Sequence, residues 1–196
     1  MPDVLRELTE LIAFLPGIGE KTATKLAFFL LKSNPTYVEK FSRTLKALQE
    51  EIHECATCGS LTDKHHLECS ICRNEQRKTN TLCVVEDYLD LVSLERLGIH
   101  HGRYHVLGGV VSPLQGKTPG DIRLKELFQR VSDESISELI LALNPNIEGE
   151  ATCLYIEEYI PKKDIQITRL SKGLPNAGFI EYADEITLLN AFRGRK

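Results

Sequence analysis

The chain has 196 residues, with 24 Lys and Arg against 28 Asp and Glu, a formal net charge of −4 and 42% hydrophobic residues. That length supplies one large domain or two small units, and the charge excludes a polycation that coats nucleic acid by bulk attraction. No apolar run approaches the roughly 18 residues of a membrane span and no apolar leader is seen, so the chain is expected in the reducing cytoplasm, not in a membrane.

Along the first third, apolar residues recur at helical spacing. Val4, Leu5, Leu8, Leu11, Ile12 and Leu15 predict one helix, which Pro16 ends. Gly17-Ile18-Gly19 makes a tight turn into a second helix, whose buried stripe is Ala23, Leu26, Ala27 and Leu30. After Asn34-Pro35 a third helix carries Val38, Phe41, Leu45, Leu48 and Ile52, three and four residues apart. Such a seam packs internally or against another subunit, and an internal core is the simpler expectation. The run Leu15-Pro16-Gly17-Ile18-Gly19-Glu20-Lys21-Thr22-Ala23 resembles the hairpin of a helix-hairpin-helix motif. Its physics suits a phosphate: Gly17 and Gly19 let the backbone approach a ligand, and the helix that follows offers unpaired N–H groups and the positive end of its dipole. Lys21 and Lys25, one turn apart, add charge on one face, which predicts sequence-independent, salt-sensitive DNA binding. The plainer alternative is a helix corner whose glycines only permit close packing.

Cys55-Ala-Thr-Cys58 is answered by Cys69-Ser-Ile-Cys72. Two Cys-x-x-Cys knuckles at this separation are the layout of a tetrahedral zinc site, and four thiolates leave no open position for catalysis. The expected role of Cys55, Cys58, Cys69 and Cys72 is therefore a structural Zn²⁺ site, against a disulfide pair or a redox motif. His53, His65 and His66 lie nearby and are read as bystanders, and Cys83 and Cys153 as small core residues.

Beyond the cysteines the texture changes. Leu82–Val85, Tyr104–Leu107, Leu139–Leu143 and Ile165–Thr168 are short apolar runs, often rich in β-branched residues, with helical patterns between them over Leu89–Leu97, Ile122–Val131 and Gly149–Tyr159. The alternation predicts an α/β fold with a mostly parallel sheet covered on both faces. Function then gathers in the loops at the carboxyl ends of the strands, which begin here with Glu86-Asp87, Gly108-Gly109 and Asn144-Pro145.

Glu86 after one strand, with Glu148 and Glu150 after a later one, resembles a Toprim domain, in which strand-end acids bind Mg²⁺ for phosphoryl transfer. In that family an Asp-x-Asp pair follows the later strand, whereas this chain has Asn144-Pro145-Asn146. The order of hairpin, four-cysteine finger and Toprim-like domain resembles the RecR family of bacterial recombination mediators. Further matches are Gly102–Gly109, Ser112-Pro-Leu114, Asn144-Pro145 with Glu148–Thr152, Arg169 followed by Gly173-Leu-Pro175, and Tyr182-Ala-Asp184 with Thr187-Leu188. Departures fall at Gly116–Pro119, at His65-His66 and at Ala177-Gly178, and Arg193–Lys196 reads as a loose tail. The resemblance implies a helix-hairpin-helix region over 1–54, a zinc finger over 55–78, a Toprim domain over 79–174 and a C-terminal segment over 175–196. It implies a non-enzymatic, cytoplasmic and nucleoid-associated repair protein with no catalytic residues. Such a protein forms a tetrameric ring on gapped, single- or double-stranded DNA and acts with RecO, and in many bacteria RecF, to load RecA onto DNA coated by single-strand binding protein. Glu86, Glu148 and Glu150 are then a docking surface for RecO or a residual Mg²⁺ site. The alternative is a Mg²⁺-dependent nuclease or primase-like enzyme built on Glu86.

Overall fold

A computed structural model describes residues 1–161, 164–171, 174 and 179–193. Gly173, Pro175, Ala177, Gly178 and the tail residues Gly194–Lys196 lie outside the described residues. The chain divides into two compact units, Met1–Ile52 and His53–Lys196.

The first unit holds helices α1 (Asp3–Ala13), α2 (Glu20–Lys32) and α3 (Pro35–Glu51). Helix α1 stops before Leu15: Phe14 is its C-cap, and the Leu15 N–H turns back to the Ile12 carbonyl at 3.1 Å ahead of Pro16. Asn34 caps α3, its Oδ1 accepting from the Thr36 N–H at 2.9 Å, and Pro35 opens the first turn where no N–H is needed. The residues buried in the unit are Thr9, Ala23 and Ala27, small side chains that let α1 and α2 approach closely.

Helix α3 buries none of its residues. Phe41, Leu45 and Leu48 are 43%, 53% and 60% exposed, so the seam does not pack as an internal core, contrary to the simpler sequence expectation. Length accounts for part of this. At about 1.5 Å per residue, the 17 residues of α3 outrun α1 and α2, which have 11 and 13. Between the three helices an apolar groove of about 530 Å³ stays open, walled by Leu5, Leu8, Leu30, Val38, Phe41 and Leu45.

A two-stranded pair, β1 (Ile52–Glu54), which starts on the last residue of the first unit, and β2 (Leu61–Asp63), is followed by the short helix α4 (Ser70–Arg73). Four parallel strands follow: β3 (Thr81–Val85), β4 (Arg103–Val106), β5 (Glu138–Ala142) and β6 (Gln166–Arg169), in the order β4-β3-β5-β6. Helices α5 (Tyr88–Glu95), α6 (Leu124–Asp133) and α7 (Ile147–Tyr159) connect them, and α8 (Glu185–Arg193) lies near the end of the chain. The strand period of two sorts the core into two layers. Leu82, Val84, Leu139 and Leu141 pack against Leu124, Leu127 and Val131 of α6 and Cys153 and Ile156 of α7. Cys83, Val85, Tyr104, Val106 and Ala142 turn to the other face, with Leu91 of α5 and Ile71 of α4. Cys83 and Cys153 are both core residues, and burial pushes the Cys83 thiol up to about 12.

Candidate functional site

The two knuckles converge. The Sγ atoms of Cys55, Cys58, Cys69 and Cys72 all lie within 4.8 Å of one another, and all four side chains are buried. Local backbone geometry places them. The Cys55 N–H donates to the Ser60 carbonyl at 2.6 Å, the Gly59 N–H returns to the Cys55 carbonyl at 3.0 Å, and the Cys69 N–H donates to Cys55 Sγ at 3.2 Å. Four buried sulfurs this close cannot all ionise unless a cation joins them. Hydrogen bonding from the Cys58 thiol holds Cys69 below the usual thiol range, while the same sulfur contacts hold Cys58 and Cys72 above it. A divalent ion at the centre lets all four ionise, and soft sulfur donors at this spacing fit Zn²⁺. The histidines take other work: His53 Nε2 meets the His66 carbonyl at 3.1 Å, and His66 Nδ1 meets Asp63 at 2.9 Å.

The cysteine module is fastened to β4, an edge strand of the sheet. The Val106 N–H donates to the Cys58 carbonyl at 2.7 Å. Gly59 sits at φ +74°, and a Cβ there would come within 2.7 Å of both Arg123 Nε and the Val106 carbonyl oxygen, so the position requires glycine on two counts. The guanidinium of Arg123 reaches Glu54 Oε2 at 3.3 Å and the Ala56 carbonyl at 3.4 Å. No motif marks Arg123, because its partners lie 67 and 69 residues away in the chain.

Two of the acids at the strand ends, Glu86 and Glu150, already have side-chain partners. Glu86 Oε2 accepts from Asn144 Nδ2 at 2.8 Å. Asn146 caps α7, accepting from the Gly149 N–H at 2.8 Å, and Gly149 lies so close to Asn144 that a Cβ would run into its carbonyl. Arg169 spans two carboxylates, Glu150 at 2.9 Å and Glu157 at 2.8 Å. Glu148 lies in the first turn of α7, its carbonyl accepting from Thr152 Oγ1 at 2.7 Å. Among the described residues, the four cysteines are the group that brings three or more metal-ligating atoms together; Glu86, Glu148 and Glu150 do not form such a cluster. Beside these acids a cleft of about 640 Å³ opens, walled by Asp90, Asn144, Glu150, Arg169, Asp184 and Asn190.

In the helical unit, Gly17 takes φ +79°, which a non-glycine residue adopts only with strain. Gly19 is the N-cap of α2 with no side-chain cap bond, and its carbonyl accepts from the Thr22 and Ala23 N–H groups at 3.0 and 2.9 Å. A Cβ at either glycine would meet nothing within 4 Å. Lys21 and Lys25 are exposed on the same helix.

Comparison with known proteins places these parts. The helix-hairpin-helix family of RecR matches residues 5–48, and the Toprim domain family matches residues 80–171. "Recombination protein RecR" of Myxococcus xanthus is 45% identical over 195 residues, covering 100% of this chain and 98% of that protein. Proteins of the same name from Natranaerobius thermophilus and Streptomyces coelicolor are each 43% identical, covering 100% and 98% of this chain and 97% and 96% of theirs.

Proposed function

This chain belongs to the RecR family of recombination proteins, and on that footing we propose that it is a non-catalytic, DNA-binding mediator of recombinational repair, working in the cytoplasm at the nucleoid. The observation that carries this reading is the hairpin. Gly17 and Gly19 border open space, so close packing within their own unit does not account for Gly19. An uncapped helix N-terminus flanked by exposed Lys21 and Lys25 is a phosphate-backbone site.

Cys55, Cys58, Cys69 and Cys72 hold a structural Zn²⁺, which gives the small module between β1 and α4 a stable fold. The seam of α3 and the open groove beside it take a second copy of the chain, and four copies close a ring. In a ring, Lys21 and Lys25 repeat around one channel, which reconciles DNA binding with a net charge of −4. The strand-end acids Glu86, Glu148 and Glu150 serve as a docking surface for RecO, with RecF where the organism has it, in loading RecA onto gapped DNA coated by single-strand binding protein. Against catalysis stand Asn144 and Asn146. They occupy the places of the metal-binding aspartates, and their side chains are committed to Glu86 and to the cap of α7.

The test is a pair of gels on end-labelled gapped duplex with Mg²⁺ or Mn²⁺ present. The protein retards the duplex and leaves its strands intact, and the Lys21→Glu, Lys25→Glu double variant raises Kd at least 100-fold and flattens the salt dependence. Metal-dependent cleavage that disappears in Glu86→Gln would replace this reading with an enzyme.

A further inference from the structure

We propose that Arg123 is a positioning residue through which metal occupancy of the cysteine cluster sets the conformation of the strand end at Glu86. The inference rests on the reading of that cluster as a metal site.

Apart from the partly buried Ile71, the cluster's core consists of the four cysteines themselves. Without a metal, little apolar burial remains to hold the module together, so metal binding and local folding are one event. Arg123 meets the folded module with its side chain, through Glu54 and Ala56, and lies against Gly59. With its backbone it holds β4 and the loop beyond. The Arg123 N–H donates to the Leu107 carbonyl at 2.9 Å, and its carbonyl accepts from His105 Nε2 at 2.8 Å. The loop is in turn bound to the strand end, Leu107 N–H to the Val85 carbonyl at 3.0 Å and Gly108 N–H to the Glu86 carbonyl at 2.9 Å. Cys58, Val106, Arg123, Leu107, Gly108 and Glu86 thus form one connected path of hydrogen bonds and adjacent residues.

Arg123 is suited to transmit a change along it. The side chain is only 22% exposed, and its Nε is buried with no hydrogen-bond partner among the described residues. When the module unfolds, the two acceptors of this guanidinium and the Gly59 backbone that lies against it depart together. The cation then moves toward water and takes its backbone with it, which loosens the hold on Leu107. The metal-loaded module therefore keeps the Glu86 loop in its docking geometry, and the stripped module releases it.

Hydrogen exchange on the full chain tests this, with zinc stoichiometry read by native mass spectrometry on the same samples. Chelator stripping is expected to speed exchange at least tenfold at the Leu107 and Gly108 amides in the original protein. Arg123→Met, which keeps the length of the side chain, is expected to show fast exchange at those amides while still zinc-loaded, with little further change on stripping. Glu54→Gln, a milder change that leaves the fold intact, moves the same amides in the same direction by a smaller factor. Arg123→Lys, which retains the charge, restores part of the protection. Unchanged exchange at Leu107 and Gly108 after zinc has left overturns the coupling, as does a stripping effect of equal size in Arg123→Met. A protein that takes up no zinc at all overturns the metal reading on which the coupling depends.

Discussion

Residues 1–52 bury Thr9, Ala23 and Ala27, whereas the sheet unit buries two layers, with Leu82 and Val84 among those on one side and Cys83 and Val85 on the other. Composition does not separate the two regions, since both are rich in large apolar residues. What differs is where those residues point. In the sheet unit, alternation along the strands sends successive side chains into two covered faces. In the helical unit Phe14, Phe29, Leu31 and Leu48 are all more than half exposed. The sheet unit builds a two-layer core from its own residues, although side chains such as Leu67, Ile99 and Leu114 stay exposed; the helical unit buries no large apolar side chain.

The largest effect expected from breaking this comparison is at the cysteines, a part of the sheet unit with little apolar burial beyond the cysteines themselves. Cys72→Ser removes one of four thiolates from a site of a class that contributes about 10–16 kcal/mol. Zinc content should fall well below one per chain, and thermal denaturation should separate into an early loss of the module and a later loss of the sheet. Next comes a matched pair of leucines. Leu139→Ala, at a fully buried position, should cost about 2–5 kcal/mol in urea denaturation. Leu45→Ala, at a 53% exposed one, should cost under about 1 kcal/mol in dilute protein yet weaken self-association in sedimentation. Equal costs at the two positions would erase the distinction.

A pH slope tests burial inside the sheet unit through a titratable group. His105 is fully buried, its Nε2–H donating to the Arg123 carbonyl and its Nδ1 facing Arg130 at 3.4 Å. Burial, reinforced by the Arg130 and Arg123 charges, lowers it to about 3, although the bond to the Arg123 carbonyl opposes the shift. The unfolded chain takes up a proton near pH 6.5 that the folded protein refuses. Stability from this group is complete above pH 6.5 and declines as pH falls toward 3, by at most about 1.4 kcal/mol per unit. His105→Gln should flatten that part of the curve in denaturant titrations.

The same contrast separates what was legible in the sequence from what was not. The strands β3, β4 and β5 were visible because an apolar run bounded by polar loops is a local signal. The cysteine pairs were visible because ligand spacing is local too. The short strands β1 and β2 carry no such run. The α3 seam was legible as a seam, but periodicity fixes which residues share a face and not what covers that face. At the strand ends, Glu86 stood out while its engagement by Asn144, 58 residues away, did not. Arg123 and the pair Arg103 and Arg130 on Glu134 are set by the fold's long-range closure, which leaves no pattern along the chain.

The strand order β4-β3-β5-β6 also has a consequence for synthesis. The first strand of the sheet to leave the ribosome, β3, is an inner one. Strand β4 then adds to one of its edges, β5 to the other, and β6 to the outer edge of β5. Every later strand arrives at an edge that already exists, so no strand waits unpaired for a neighbour made much later. The sheet can grow outward in step with translation.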